Sequence, residues 1–110
     1  MAILSNLDIA RLIKEGKINV EPYDMSNIQG ATIDFRIGNK FKYPDYHNKK
    51  NKTGIIELEE ELEYINLEDN EVIIQPNHFI LGTTLETLTL SRDLCARVDG
   101  KSKIGRKGLI

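Results

Sequence analysis

A single cysteine, Cys95, excludes an internal disulfide and any thiolate-rich zinc site. It lies in an apolar, strand-like run and reads as a small core residue rather than a nucleophile. No apolar stretch approaches the roughly 20 residues that a membrane-spanning helix requires. The first turns carry Ser5, Asn6, Asp8 and Arg11, which is no signal-peptide core, so a cytoplasmic, reducing location is expected. Positive charge is missing from the middle: no Lys or Arg occurs between Lys52 and Arg92, while eight carboxylates fall between Glu57 and Glu71. With a formal net charge of -2, a nucleic-acid or other polyanion binder is disfavoured; a local anion site is not. There is no internal repeat and no low-complexity tract, and 110 residues are enough for one domain, 1–110, but not for two.

What is present begins with helix punctuation. Ser5 is placed as an N-cap, with Asp8 three residues on to complete a capping box and Leu4 and Ile9 at the positions of a hydrophobic staple. Ile9, Leu12 and Ile13 share a face, and Gly16 is placed to end the helix. The hydrophobic period then becomes two. Ile18 and Val20 alternate with polar neighbours, and Thr32–Ile37 puts Ile33, Phe35 and Ile37 on one face and Thr32, Asp34 and Arg36 on the other. Gly38-Asn39 reads as a turn before a returning strand with Phe41 and Tyr43. Pro44 to Gly54 reads as a polar, mobile loop, and Glu57–Glu63 as a solvated face that suits either a helix or an edge strand. Strands are expected at Glu71–Ile74, Phe79–Thr84, Glu86–Leu90 and Leu94–Asp99, with Gln75-Pro76-Asn77 and Ser91-Arg92-Asp93 as connections. Several short strands of this spacing predict an all-β sandwich or barrel behind one short helix.

The residues able to carry chemistry are few. A zinc-type deaminase needs a His or Cys near a Glu and then Pro-Cys-x-x-Cys, which this chain does not have. His47 and His78 stand apart and read as solvated turn residues, so no metal site is expected, and no Ser-His-Asp triad follows from spacing. Gly100-Lys101-Ser102 ends like a nucleotide-triphosphatase loop, but Cys95 stands where the first glycine of that loop is required. The remaining signal is Gly100–Gly108, in which Lys101, Ser102, Lys103, Arg106 and Lys107 stand between glycines. A hydroxyl, fixed positive charge and glycine-freed amides are what a polyphosphate needs. Taken alone it is equally a solvated turn, and Asp34 taken alone is a surface residue on the polar side of a strand.

The order of motifs narrows these alternatives. Ile3-Leu4-Ser5, Asp8-Ile9, Glu21-Pro22-Tyr23, Ile28-Gln29 and Ala31 through Asn39 resemble the opening of the dCTP deaminases, members of the dUTPase superfamily. Pro76 through Glu86 and Gly100 through Leu109 resemble the same family in the same order. The resemblance covers almost the whole chain but only the N-terminal half to two-thirds of a typical member.

The resemblance implies a mainly β fold, a dUTPase-like distorted jelly roll or β-barrel with a short N-terminal helix, incomplete in this chain, and a homotrimer with sites between subunits. It implies metal-free hydrolytic deamination of dCTP to dUTP and ammonia, in some relatives followed by hydrolysis to dUMP, with Mg2+ entering only with the triphosphate. By position, Ser102 corresponds to the serine that helps place the attacking water and Arg106 to the arginine that supports charge at the reacting centre. Lys101, Ser102, Lys103 and Arg106 form the phosphate-meeting motif, and Asp34 and Arg36 take a structural or site-supporting place. Lys101 stands where an arginine is usual, keeping the charge but losing the bidentate fork. Lys103 replaces a serine, and Asp99 a glutamate. The family's general-base glutamate lies downstream of the resemblance, and a serine hydroxyl is a poor substitute near neutral pH. Two other readings follow: an inactive nucleotide-binding or protein-interaction module that keeps the scaffold, and a truncated product without function.

Overall fold

The computed structural model describes residues 2–45 and 57–110. Most of the polar loop expected from Pro44 to Gly54, with His47 and the basic run Asn48–Lys52, lies outside the described residues.

Helix α1 spans Asn6–Lys14, and local chemistry sets both of its ends. Ser5 Oγ accepts from the Asp8 amide at 3.2 Å and donates to the Asp8 carboxylate at 3.0 Å. These bonds, with Arg11 nearby, hold the Asp8 carboxyl below its ordinary value. At the other end the Lys17 amide donates to Leu12 O and the Gly16 amide to Ile13 O, with Gly16 at φ +78°: a complete Schellman motif.

Nine residues of helix need a surface to rest on. It is supplied by β1 (Ile18–Glu21), paired antiparallel with β7 (Thr87–Leu90) in the register Ile18↔Leu90 and Val20↔Leu88. Ile9 and Leu12 pack on Ile18 and Val20, and Leu4, Ile13, Ile28, Ile33, Phe35, Leu88, Leu90 and Leu94 surround them. A 3-10 turn at Met25–Asn27 leads into a small hairpin, β2 (Ile28–Gln29) and β3 (Thr32–Ile33), turning at Gly30 with φ +58°.

A second sheet has the order β5–β4–β6, all antiparallel, with β4 at Ile37–Pro44, β5 at Tyr64–Glu68 and β6 at Leu81–Thr84. Phe41 faces Leu67, Tyr43 faces Ile65, and Lys40 faces Glu68 across the β4–β5 ladder. The mainly β architecture behind an N-terminal helix is the one expected, in three small antiparallel sheets that do not close into a barrel among the described residues. No described helix is long and apolar enough to cross a membrane.

Several local expectations are corrected. Thr32–Ile37 is not one strand, and Gly38-Asn39 is not a turn. The Asp34 amide still belongs to the hairpin, donating to Asn27 O at 2.8 Å, but Arg36 O already accepts from the Leu85 amide at 2.8 Å. The chain changes partners across residues 34–36, and β4 runs straight through Gly38. A Cβ at Gly38 would stand 3.3 Å from Thr83 O, so the glycine permits a close backbone approach. Beside it the β4–β6 register slips, from Ile37↔Thr84 to Phe41↔Gly82.

The acidic run is neither helix nor strand at its start. The Glu60 amide donates to Glu57 O in a turn, and the strand begins at Tyr64. Glu71–Ile74 forms no strand. Phe79–Thr84 and Glu86–Leu90 shorten to β6 and β7. Leu94–Asp99 finds no ladder, so Cys95 is exposed rather than in the core.

Candidate functional site

Gly100–Gly108 is a helical turn, not an open loop. The Ile104 and Gly105 amides both donate to Lys101 O, at 2.9 and 3.0 Å, and the Arg106 amide donates to Ser102 O at 2.9 Å. This builds the four-residue helix α2 (Ser102–Gly105), with Lys101 at the N-cap position, its side chain making no capping bond to the helix, and Gly108, at φ +90°, closing the far end.

The helical winding sorts the candidate residues. Ser102 and Arg106, four apart and with Arg106 still in the helical region at φ -65° and ψ -17°, share one face. Lys103 falls on the neighbouring face with Lys107. Among the described residues, Ser102 Oγ, the Lys103 ammonium and the Arg106 guanidinium have no hydrogen-bond or ion-pair partner, whereas Lys101 has one.

That partner is Asp34. Lys101 Nζ lies 2.5 Å from Asp34 Oδ2, joining two candidates 67 residues apart. Arg36 takes a different course. Its Nε donates to Glu86 Oε1 at 2.7 Å and its amide to Glu86 Oε2 at 2.8 Å, so both carboxylate oxygens are taken. The Glu86 side chain is fully enclosed while that of Arg36 is 57% exposed. The Arg36 bonds hold the Glu86 carboxyl below its ordinary value against the opposing effect of desolvation. Arg36 is therefore a clamp between the 34–36 crossing and the β6–β7 corner, where Thr84 Oγ1 also donates to Glu86 O at 2.7 Å. The structure brings Ser102 together with Arg106, and Lys101 with Asp34. It sets Arg36 apart on Glu86.

Glu86 was not singled out among the site candidates. Its one sequence signal is that it carries the only charge between Phe79 and Ser91, inside apolar strands. A charge so placed is either solvated or satisfied by a distant partner, and sequence spacing does not name that partner. Among the described residues no three His, Cys, Asp or Glu side chains converge to hold a metal ion.

A protein-family model described as dCTP deaminase-like matches residues 3–110, the Gly100–Gly108 turn included. The chain belongs to the dCTP deaminase-like family, and its small antiparallel sheets behind an N-terminal helix are consistent with a dUTPase-like fold. It is 42% identical over 113 residues to a dUMP-forming dCTP deaminase of Methanothermobacter thermautotrophicus, covering 99% of this chain and 57% of that protein. It is 36% identical to one from Parafrankia sp., covering 98% of this chain and 54% of that protein. A third, from Dictyoglomus thermophilum, is 38% identical, with 98% and 58% covered. The chain thus spans little more than half the length of the curated relatives it matches.

Proposed function

We propose that this chain binds a pyrimidine deoxynucleoside triphosphate, presented with Mg2+, and serves the hydrolytic deamination of dCTP. The observation that carries the proposal is the family match running through a turn in which Ser102 and Arg106 share one face, free of side-chain partners among the described residues. In the reaction, water adds to C4 of the cytosine ring, the ring nitrogen gains a proton, and the exocyclic amine leaves as ammonia with formation of the C4 carbonyl: dCTP + H2O gives dUTP + NH3. Ser102 Oγ can both donate to and accept from that water, fixing its approach. Arg106 places permanent positive charge where negative charge develops. Lys101 and Lys103 meet the phosphates as point charges. The names of the relatives support a second hydrolysis, of the deamination product: dUTP + H2O gives dUMP and pyrophosphate. By family likeness the protein is a cytoplasmic homotrimer with a jelly-roll subunit.

Binding and turnover are separable here. Turnover needs a base for the water proton, which a serine hydroxyl is too weak to be. Among the described residues no carboxylate is hydrogen-bonded to Ser102, which favours, as a second reading, a module that binds nucleotide without converting it. Incubation of the purified protein with dCTP and Mg2+, followed by chromatography for dUTP and dUMP and an ammonia assay, separates the two readings. Product formation supports the enzyme; saturable dCTP binding with no product supports the binding module. Arg106→Ala should weaken dCTP binding about tenfold or more, the effect of losing a charged hydrogen-bond partner. Unchanged affinity removes Arg106 from the site.

A further inference from the structure

The turn that carries Ser102 and Arg106 has little to hold it. Among the described residues, Lys101–Asp34 is the one hydrogen bond or ion pair joining residues 95–110 to the rest of the chain. The strand expected at Leu94–Asp99 has no ladder, and the bonds inside the segment, Arg97 to Asp99 and the Gly100 amide to Asp99, are local. A four-residue helix is far below the length that is stable in isolation.

The Asp34 end of the pair is prepared in advance. Its amide is tied to Asn27 O, and two residues on Arg36 is gripped by the enclosed Glu86 carboxylate through both amide and side chain. The Asp34 side chain is 32% exposed and that of Lys101 55%, so the carboxylate is the fixed partner and the ammonium the one that is ordered by it. An ammonium has three donors, and a bond to Asp34 leaves two of them free for phosphate oxygens.

We infer that Asp34 is a positioning residue for the nucleotide turn: by pinning Lys101 it orders the start of α2, and so the face that presents Ser102 and Arg106. The inference rests on the reading of Gly100–Gly108 as a nucleotide-binding turn, but its structural half stands independently. The alternative role for Asp34 is purely electrostatic, a negative charge beside an anion site that weakens binding. The two roles predict opposite effects of removing the charge.

The test uses backbone 15N relaxation and dCTP titration on the same samples of wild type, Asp34→Asn, Lys101→Met and the exchanged pair D34K/K101D. Asp34→Asn and Lys101→Met should each lower the heteronuclear NOE of residues 101–106, with α1 and the β1–β7 pair unchanged. The exchanged pair should restore the NOE. Asp34→Asn should weaken dCTP binding about two- to fivefold, the size expected from loss of one half-exposed ion pair. The exchanged pair should stay weak, because the phosphate-facing cation is gone. An unchanged NOE in Asp34→Asn, or tighter dCTP binding by that variant, overturns the inference. If wild type binds no dCTP, the proposed function fails while the relaxation data still decide whether Asp34 orders the turn. Should Asp34→Asn fail to fold, Lys101→Met, at an exposed position, carries the relaxation comparison alone.

Discussion

At the scale of single residues, the decisive groups are those whose partners lie far away in sequence. Glu86 is an enclosed carboxylate that exists as an anion because Arg36 gives it two donors. Its folded-state value lies below the ordinary 4.5, so it contributes stability that is present above that value and lost as the pH falls through the lower folded one. The melting temperature should therefore fall on acidification below about pH 4.5, and Glu86→Gln should lower it at neutral pH while flattening that acid limb. An acid limb of the same steepness in the variant contradicts the assignment. None of this is legible at positions 36 and 86 themselves, since a lone Arg and a lone Glu 50 residues apart carry no spacing rule. Asp34 and Lys101 were both singled out from sequence, yet their contact was not, for the same reason.

Elements divide along the same line between local and distant causes. Helix α1 was legible to within a residue or two because capping box, staple and Schellman glycine are all short-range devices. Ser5→Ala should cost about 1 kcal/mol in chemical denaturation, by removing the acceptor of the Asp8 amide. A loss below a few tenths would show that tertiary packing alone sets the helix start. The strands were less legible. Gly38-Asn39 has the composition of a turn, but the glycine is required by the close approach of Thr83, a neighbour that sequence does not reveal. Gly38→Ala should destabilise the fold by about 1–3 kcal/mol, since the obstructing atom is a backbone oxygen and cannot swing aside. A neutral substitution would return the glycine to the role of a turn residue. The strand at Tyr64–Glu68 was hidden by the acidic run before it, and is formed by cross-strand pairs such as Phe41 with Leu67. In the candidate site, the residue types and their spacing were legible, whereas the helical winding that unites Ser102 with Arg106 and separates Lys103 was not.

At the scale of the whole molecule, the chain exposes more than a packed domain of its mass. Its accessible surface is 9809 Å², against about 6,200 Å² for a compact monomer of 12.5 kDa. Its radius of gyration is 17.9 Å, against about 13 Å for that length. Among the described residues the buried hydrophobic core consists of Ile9, Leu12, Ile18, Val20 and Phe41, while Ile37, on the middle strand of the second sheet, is 65% exposed. Such a chain should bind a hydrophobic dye strongly and sediment as a species heavier than its monomer mass at micromolar concentration. A dye-silent, strictly monomeric sample would show that the exposed apolar surface is harmless.

The distance in sequence between Asp34 and Lys101 also sets an order of events during synthesis. At about 5–20 residues per second, the carboxylate waits several seconds on the ribosome for its cation. Helix α1, the β2–β3 hairpin and the Arg36–Glu86 clamp are all made from residues that precede Lys101. The Gly100–Gly108 turn is therefore synthesised after every residue of those three features. Asp34 and the Asn27 carbonyl to which it is tied both leave the ribosome before the cation that completes the pair.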